Sequence, residues 1–226
     1  QGFMPNAGNG KRRQRFPEDW AQALRQMAAL KPLRLLPMHG PALLTEAEIQ
    51  DKLQAHAAVL ESIVEQTLRG LNAGQRTDEV IDSVVLPPEL AKRPDLKEDY
   101  VTARDIARMV AKQYNGWWDD IPSHWNPAPL AAQGREIARL AGGPRQLVER
   151  AKALSASDPA VAASLADWAW LAAPDDAAVL QGALDVYAAR IGENTTTQEA
   201  LTYLEHMVRL KLRLGALKPA AATVAR

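Results

Sequence analysis

The sequence predicts a mainly α protein carrying one short β segment near its front, and three observations lead there. Leu53, Ala57, Leu60, Val64, Thr67 and Leu71 alternate spacings of four and three residues, which is a heptad seam on a long helix. From Ala131 onward, glycine, proline and aspartate punctuate a succession of further helical segments. Leu33-Arg34-Leu35-Leu36, set between two prolines, is the one run that reads as a strand, and a lone strand cannot bury itself.

Taken in order, residues 1–16 are rich in Gly, Asn and Pro and read as loop. Pro17 suits a first helical position, and Glu18 and Asp19 suit the positive end of the helix dipole. Trp20, Leu24, Met27 and Ala28 then recur at helical spacing, so residues 17–31 form an amphipathic helix ended at Lys31-Pro32. Thr45 with Glu48 three residues on is a capping box, and it opens the seam-bearing helix that runs to about Gly70. That seam wants a partner helix, from this chain or from a second copy. Thr77 starts a shorter helix to about Val85, stopped by Pro87-Pro88, and residues 99–113 form another with Val101, Ile106, Met109 and Val110 inward. Residues 114–130 are irregular and hold Trp117, Trp118 and Trp125. Helices follow at 131–141, 144–155, 158–172, 175–190 and 197–214, alanine-rich and paired like tetratricopeptide (TPR-like) hairpins, with a frayed tail over 216–226.

Composition bounds the chemistry. The 226 residues are 47% hydrophobic and 24% charged, which is ordinary globular, soluble material. With no cysteine, disulfides, thiolate metal sites and a cysteine nucleophile are excluded. Apolar runs are too short for a transmembrane segment. The 27 basic and 27 acidic side chains balance overall, yet residues 1–40 hold seven basic and two acidic ones. A basic front suits phosphate or sulfate as well as a solvated loop; nucleic acid is disfavoured because no aromatic stacking platform accompanies it.

None of the four histidines pairs locally with another at metal-ligand spacing, and there is no nucleophile elbow or phosphate-cradling glycine loop. His56 and His206 sit mid-helix and read as packing or surface residues, and His124 lies in the tryptophan-rich stretch. His39 follows the short strand, with Gly40 permitting a tight turn, and is placed to reach a metal or substrate. The tryptophans are the anchors a buried interface prefers, so Trp117, Trp118 and Trp125 are expected with Leu53, Leu60 and Val64 in a homodimer contact.

Several segments in ordered succession carry a resemblance: Pro5-Asn6, Arg15 ahead of Trp20, Pro37-x-His39-Gly40-Pro41, Leu71-Asn72-Ala73-Gly74, Leu86-Pro87-Pro88-Glu89-Leu90 and Tyr114-Asn115-Gly116-Trp117-Trp118-Asp119-Asp120. Pro122-Ser123-His124, Pro127-x-Pro129, Gly142-Gly143 and Ala151-Lys152-Ala153 continue it, over about residues 1–210. Together they resemble the bacterial alkylsulfatases built on the metallo-β-lactamase fold. The resemblance implies a remnant of the metallo-β-lactamase α/β domain over 1–44, a helical dimerisation region over 45–141, TPR-like hairpins over 142–215 and a flexible tail over 216–226.

By that resemblance His39 matches a zinc ligand, and Asn6 and Arg15, with Arg12 or Arg13 as substitutes, match the groups that hold sulfate. The complete enzymes use two zinc ions, whose main His-x-His-x-Asp-His cluster has no counterpart in this sequence. The expectation is therefore the C-terminal portion of a zinc-dependent sulfuric ester hydrolase, homodimeric, in bacterial cytoplasm or periplasm. It would need a missing N-terminal catalytic segment to act on an alkyl sulfate. A non-catalytic dimerisation or scaffold module, and a metallo-β-lactamase-fold hydrolase of another substrate, stand as the alternatives.

Overall fold

Residues 3–217 are described by a computed structural model, and within them ten α-helices follow one another. They are α1 (Pro17–Ala29), α2 (Glu46–Asn72), α3 (Thr77–Ser83), α4 (Pro88–Ala91), α5 (Ala103–Asn115), α6 (Leu130–Leu140), α7 (Pro144–Leu154), α8 (Pro159–Ala172), α9 (Ala177–Arg190) and α10 (Thr197–Leu217). The starts obey local chemistry. Thr45 Oγ1 accepts from the Glu48 N–H at 3.3 Å, Thr102 and Asp105 cap α5 reciprocally, and Asp158 and Asp176 accept from the first turns of α8 and α9. Proline opens α1, α4, α7 and α8, where its missing N–H has no intrahelical partner to lose.

The chain divides into two compact units, residues 1–125 with 196–198, and the rest from residue 126. The breaks read from the sequence at 44/45 and 141/142 do not coincide with that division. In the first unit α1 packs along α2, and in the second α6 packs on α8.

In the first unit, α2 is the organising helix. Ile49, Leu53, Leu60, Ile63 and Val64 are all at most 6% exposed, in clusters completed by Ala21 and Ala28 of α1 and by Ile106 and Val110 of α5. Thr67, the polar member of the seam, is buried too, and its hydroxyl donates to the Ile63 carbonyl at 2.7 Å. The heptad seam thus finds its partner within its own chain. Leu53, Leu60 and Val64 are core residues and offer no surface to a second copy, which corrects the interface expected for them.

The front segment also departs from expectation. It is irregular, as read, and residues 10–13 are exposed, but residues 4–9 are interior rather than a surface loop. Met4 and Ala7 are fully buried, and the Met4 N–H donates to the Lys97 carbonyl at 2.9 Å. Gly8 lies so close to the start of α5 that a Cβ there would stand 2.3 Å from the Asp105 carbonyl carbon and 2.4 Å from the Ile106 nitrogen. The expected strand at 33–36 shrinks to one antiparallel bridge, in which Leu35 and Leu43 exchange N–H···O bonds of 2.9 Å. Pro37 and Pro41 flank that bridge without donors, so no ladder extends from it, and its partner is this chain rather than an outside sheet.

The second unit is built on α8, against which α6, α7 and α9 all pack. Small residues permit the close approach: Ala162, Ala163, Ala166 and Ala169 are buried on α8. A Cβ on Gly134 of α6 would lie 3.0 Å from the Trp168 carbonyl oxygen, and one on Gly182 of α9 2.8 Å from a Val148 methyl. A polar chain runs through this core. Trp170 Nε1–H donates to the Tyr187 hydroxyl at 2.7 Å, which donates to the Asp167 carboxylate, and the His206 ring lies 4.9 Å from Trp170. Ala216 and Leu217 are the last residues of α10 rather than the start of a frayed tail, and the remainder of that expected tail, 218–226, lies outside the described residues.

Two substitutions test this packing. Leu60→Ala removes side-chain volume from a fully buried site and is expected to lower the unfolding free energy by about 2–5 kcal/mol, read from urea denaturation by circular dichroism. Gly8→Ala is expected to cost about 1–3 kcal/mol by overpacking against backbone that has no rotamer to yield, whereas Gly10→Ala, with open space around it, stays near neutral.

Candidate functional site

Asn6 and Arg15 are brought together although nine positions separate them: the Arg15 guanidinium donates to the Asn6 backbone carbonyl. Gln14 fixes the same turn, its amide donating to the carbonyls of Arg15 at 2.8 Å and Met109 at 2.9 Å. The Asn6 side-chain oxygen is buried with no hydrogen-bond partner, a cost that ordinarily calls for a bound group or a water. Arg12 and Arg13 are exposed nearby in sequence. A cation anchored beside an amide can hold an anion by charge-assisted bonds.

His39 stands exposed after the Leu35 bridge, and Gly40 at φ +94° makes the turn behind it. It borders an apolar depression of about 280 Å³ whose walls include Leu24, Met27, Leu35, Leu43 and Leu53, with Lys52 and His56 as its other polar lining residues. Asn6 and Arg15 do not line that depression. The imidazole is therefore at an open surface and not packed away in hydrocarbon.

His56, read from the sequence as a packing or surface residue, also lines this depression. It is 5% exposed, and its Nδ1 lies 2.8 Å from the Lys52 carbonyl. A carbonyl only accepts, so the Nδ1 facing Lys52 carries a proton. Burial holds this imidazole below its ordinary range, opposed by the Lys52 carbonyl and Asp95. The only sequence signal was its place three residues beyond Leu53 on the seam face.

For zinc the donor set falls short. Among the described residues no group of three or more His, Asp or Glu side chains comes together to hold a metal ion, and a catalytic zinc takes about three protein ligands. These residues by themselves do not fit the two-zinc centre expected from the resemblance.

Trp117, Trp118 and Trp125 form a mutual cluster with ring centroids 5.2–6.3 Å apart. Trp117 and Trp125 are 65% and 61% exposed, while Trp118 is half-buried. The loop is shaped by Asp119, which accepts from the Ile121 N–H at 3.2 Å and pairs with His124 Nδ1 at 2.6 Å. That histidine bond holds the Asp119 carboxyl below its usual range. Gly116 at φ +72° makes the bend, and Asp120 at φ +69° uses the left-handed conformation that Asp tolerates. Rings already in contact leave no cage between them, so the cluster offers a rim of aromatic surface. Among the described residues no helix is long and apolar enough to cross a membrane.

The two depressed histidines give a pH signature. His56 and His206 are held below their ordinary range mainly by burial, so near pH 6 the unfolded chain binds more protons than the folded one. Their contribution to stability is complete above the unfolded value of about 6.5 and declines as pH falls through the folded values. The urea midpoint is expected to drop between pH 7.5 and 5.5, and the double substitution His56→Gln, His206→Gln to flatten that slope.

Comparison with known proteins gives this geometry a context. A protein-family profile described as alkyl sulfatase dimerisation matches residues 76–212. The linear primary-alkylsulfatase of Pseudomonas sp. (strain ATCC 19151) is 31% identical over 159 residues, 70% of this chain and 29% of that protein. Alkyl/aryl-sulfatase BDS1 of Saccharomyces cerevisiae is 26% identical over 106 residues, 47% of this chain and 16% of that one. The chain thus spans less than a third of the length of these relatives. In fold it is similar to a double mutant of the sec-alkyl sulfatase PisA1, with TM-score 0.80 and 19% identity over 87% of this chain and 32% of that one. The stereoselective inverting sec-alkylsulfatase Pisa1 from Pseudomonas sp. matches at TM-score 0.75 and 18% identity, over 92% and 33%. With the profile spanning more than half of its residues, this chain belongs to the alkyl sulfatase dimerisation family.

Proposed function

We propose that this chain is the dimerisation part of an alkylsulfatase-type sulfuric ester hydrolase, and that it also brings residues to the edge of that enzyme's site. The observation that carries the reading is the family match over 76–212, which includes the whole exposed tryptophan cluster. Two copies associate through Trp117 and Trp125, whose rings are large, rigid and open to solvent. Trp118 stiffens the pair from beneath.

In this reading His39 is one donor toward zinc, and the remaining donors come from outside the described residues. Asn6 and Arg15, with Arg12 or Arg13, are the groups offered to sulfate, and the apolar depression beside His39 suits an aliphatic chain. The exposed His39 and the orphaned Asn6 oxygen favour this over a purely structural scaffold, because neither contributes to packing in the first unit.

Sedimentation equilibrium is expected to show a dimer at micromolar concentration, and Trp117→Ala with Trp125→Ala to raise the dissociation constant at least tenfold, about 1.4 kcal/mol. A chain that stays monomeric at those concentrations overturns the dimer reading. The purified chain, supplied with zinc, is expected to release no sulfate from dodecyl sulfate. Turnover by the chain alone would overturn the division of donors.

A further inference from the structure

Asn9 is a polar side chain in the interior of the first unit, 6% exposed, and both ends of its amide are used. Its Oδ1 accepts from the Lys11 N–H at 3.0 Å, which closes an Asx turn, and its backbone carbonyl accepts from the Arg12 N–H at 3.1 Å. Its Nδ2 donates to Gln198 Oε1 at 2.7 Å, across 189 positions of sequence. A side-chain amide has one accepting and one donating end, so the partner of one end decides what the other can do. With Gln198 holding Nδ2, Oδ1 is left facing Lys11, and the chain turns over residues 9–12.

Gln198 is itself held. Thr196–Gln198 group with the first unit although α10 begins at Thr197. The Thr197 N–H donates to the Asp99 carbonyl at 2.8 Å, and the Gln198 N–H to the Tyr100 carbonyl at 3.3 Å. The same loop takes the Met4 N–H on its Lys97 carbonyl at 2.9 Å, and the Tyr100 ring stacks on Phe3 with centroids 5.7 Å apart. The loop 97–100 therefore fixes the front segment at one end through Phe3 and Met4, and at the other through Gln198 and Asn9. Asn6 lies between these two anchorages. Arg12, Arg13 and Arg15 follow the second, and Arg15 returns to the Asn6 carbonyl.

We propose that Gln198 is a positioning residue for the anion-holding segment: by orienting the Asn9 amide it sets the bend that carries Arg12 and Arg13 onward to Arg15. This rests on the reading of Asn6, Arg15 and Arg12 or Arg13 as the groups offered to sulfate, and adds a residue remote in sequence that controls their presentation. Gln198 acts through Asn9 and not on the anion itself. Without its acceptor, the buried Asn9 donor loses its partner, and relief comes from turning the amide or opening the bend. Either change releases the Lys11 N–H and lets the arginines spread over many directions. Anion affinity then falls, because their ordering has to be supplied at the moment of binding.

The test uses the full chain with inorganic sulfate as the probe, followed by backbone amide NMR. In the wild type, sulfate is expected to shift the Asn6 and Arg15 amides saturably, and the Lys11 amide to exchange slowly with solvent. Gln198→Met keeps the length of the side chain and removes the acceptor. Lys11 exchange is then expected to speed up about tenfold, and the sulfate dissociation constant to rise about fivefold. Gln198→Glu keeps an acceptor at the same reach and is expected to retain slow Lys11 exchange, which a general packing defect would not. Asn9→Ala removes the turn, and adding Gln198→Met to it is expected to weaken sulfate binding no further. A Gln198→Met chain that binds sulfate like the wild type, fast Lys11 exchange in both Gln198 variants, or losses that add in the double variant overturn the positioning role and leave the sulfate reading of Asn6 and Arg15 standing. A wild-type chain indifferent to sulfate overturns that reading and the proposal together.

Discussion

A long helix with one apolar face must cover that face, and α2 covers it with its own chain. Ile49, Leu53, Leu60, Ile63 and Val64 are all withdrawn from water by α1, α5 and their neighbours. At about 1.5–3 kcal/mol for each large aliphatic side chain, this face outweighs any single polar contact in the first unit. The front segment, α1 and α5 take their positions from it. The α2 face is thereby closed to any second chain, whereas the rings of Trp117 and Trp125 stay open to solvent.

That internal core also explains how irregular backbone can carry functional groups. Residues 3–9 have no regular structure, yet Met4 and Ala7 are buried and Gly8 lies against the backbone of α5. Asn6 therefore stands on a segment held by packing at nearly every neighbouring residue, and Arg15 is tied to it through the Asn6 carbonyl. His39 is held differently, by one bridge and a glycine turn over an apolar depression. Both arrangements place polar side chains on loops that a helical scaffold positions, which is where binding chemistry usually resides.

Helices were legible wherever local chemistry marks their ends. The Thr45/Glu48 box, the prolines opening α1, α7 and α8, and the aspartates before α8 and α9 act within a single turn, so adjacent residues reveal them. α4 was missed because two prolines read equally well as a stop, and it is only one turn long. The burial of the front segment was invisible, since Gly, Asn and Pro composition reports backbone freedom and not the α5 surface that packs on it. His56 escaped for a related reason. Its chemistry comes from Leu53 and the Lys52 carbonyl enclosing it beside the loop of His39, and no motif records such a neighbourhood.

By itself the sequence determined the helical class, the order and approximate limits of the main helices, the irregular tryptophan-bearing loop and the candidacy of His39. Each follows from periodicity, capping or chain stiffness over a few residues. Tertiary structure alone decided which partner the α2 seam takes, because a heptad repeat specifies an apolar face but not the chain that covers it. It likewise reduced the expected strand to a single Leu35–Leu43 bridge, since pairing depends on a second segment crossing at the right place. The meeting of Arg15 with Asn6, and of His39 with His56 around one depression, belongs to the same class of facts: contacts between distant residues, set by packing.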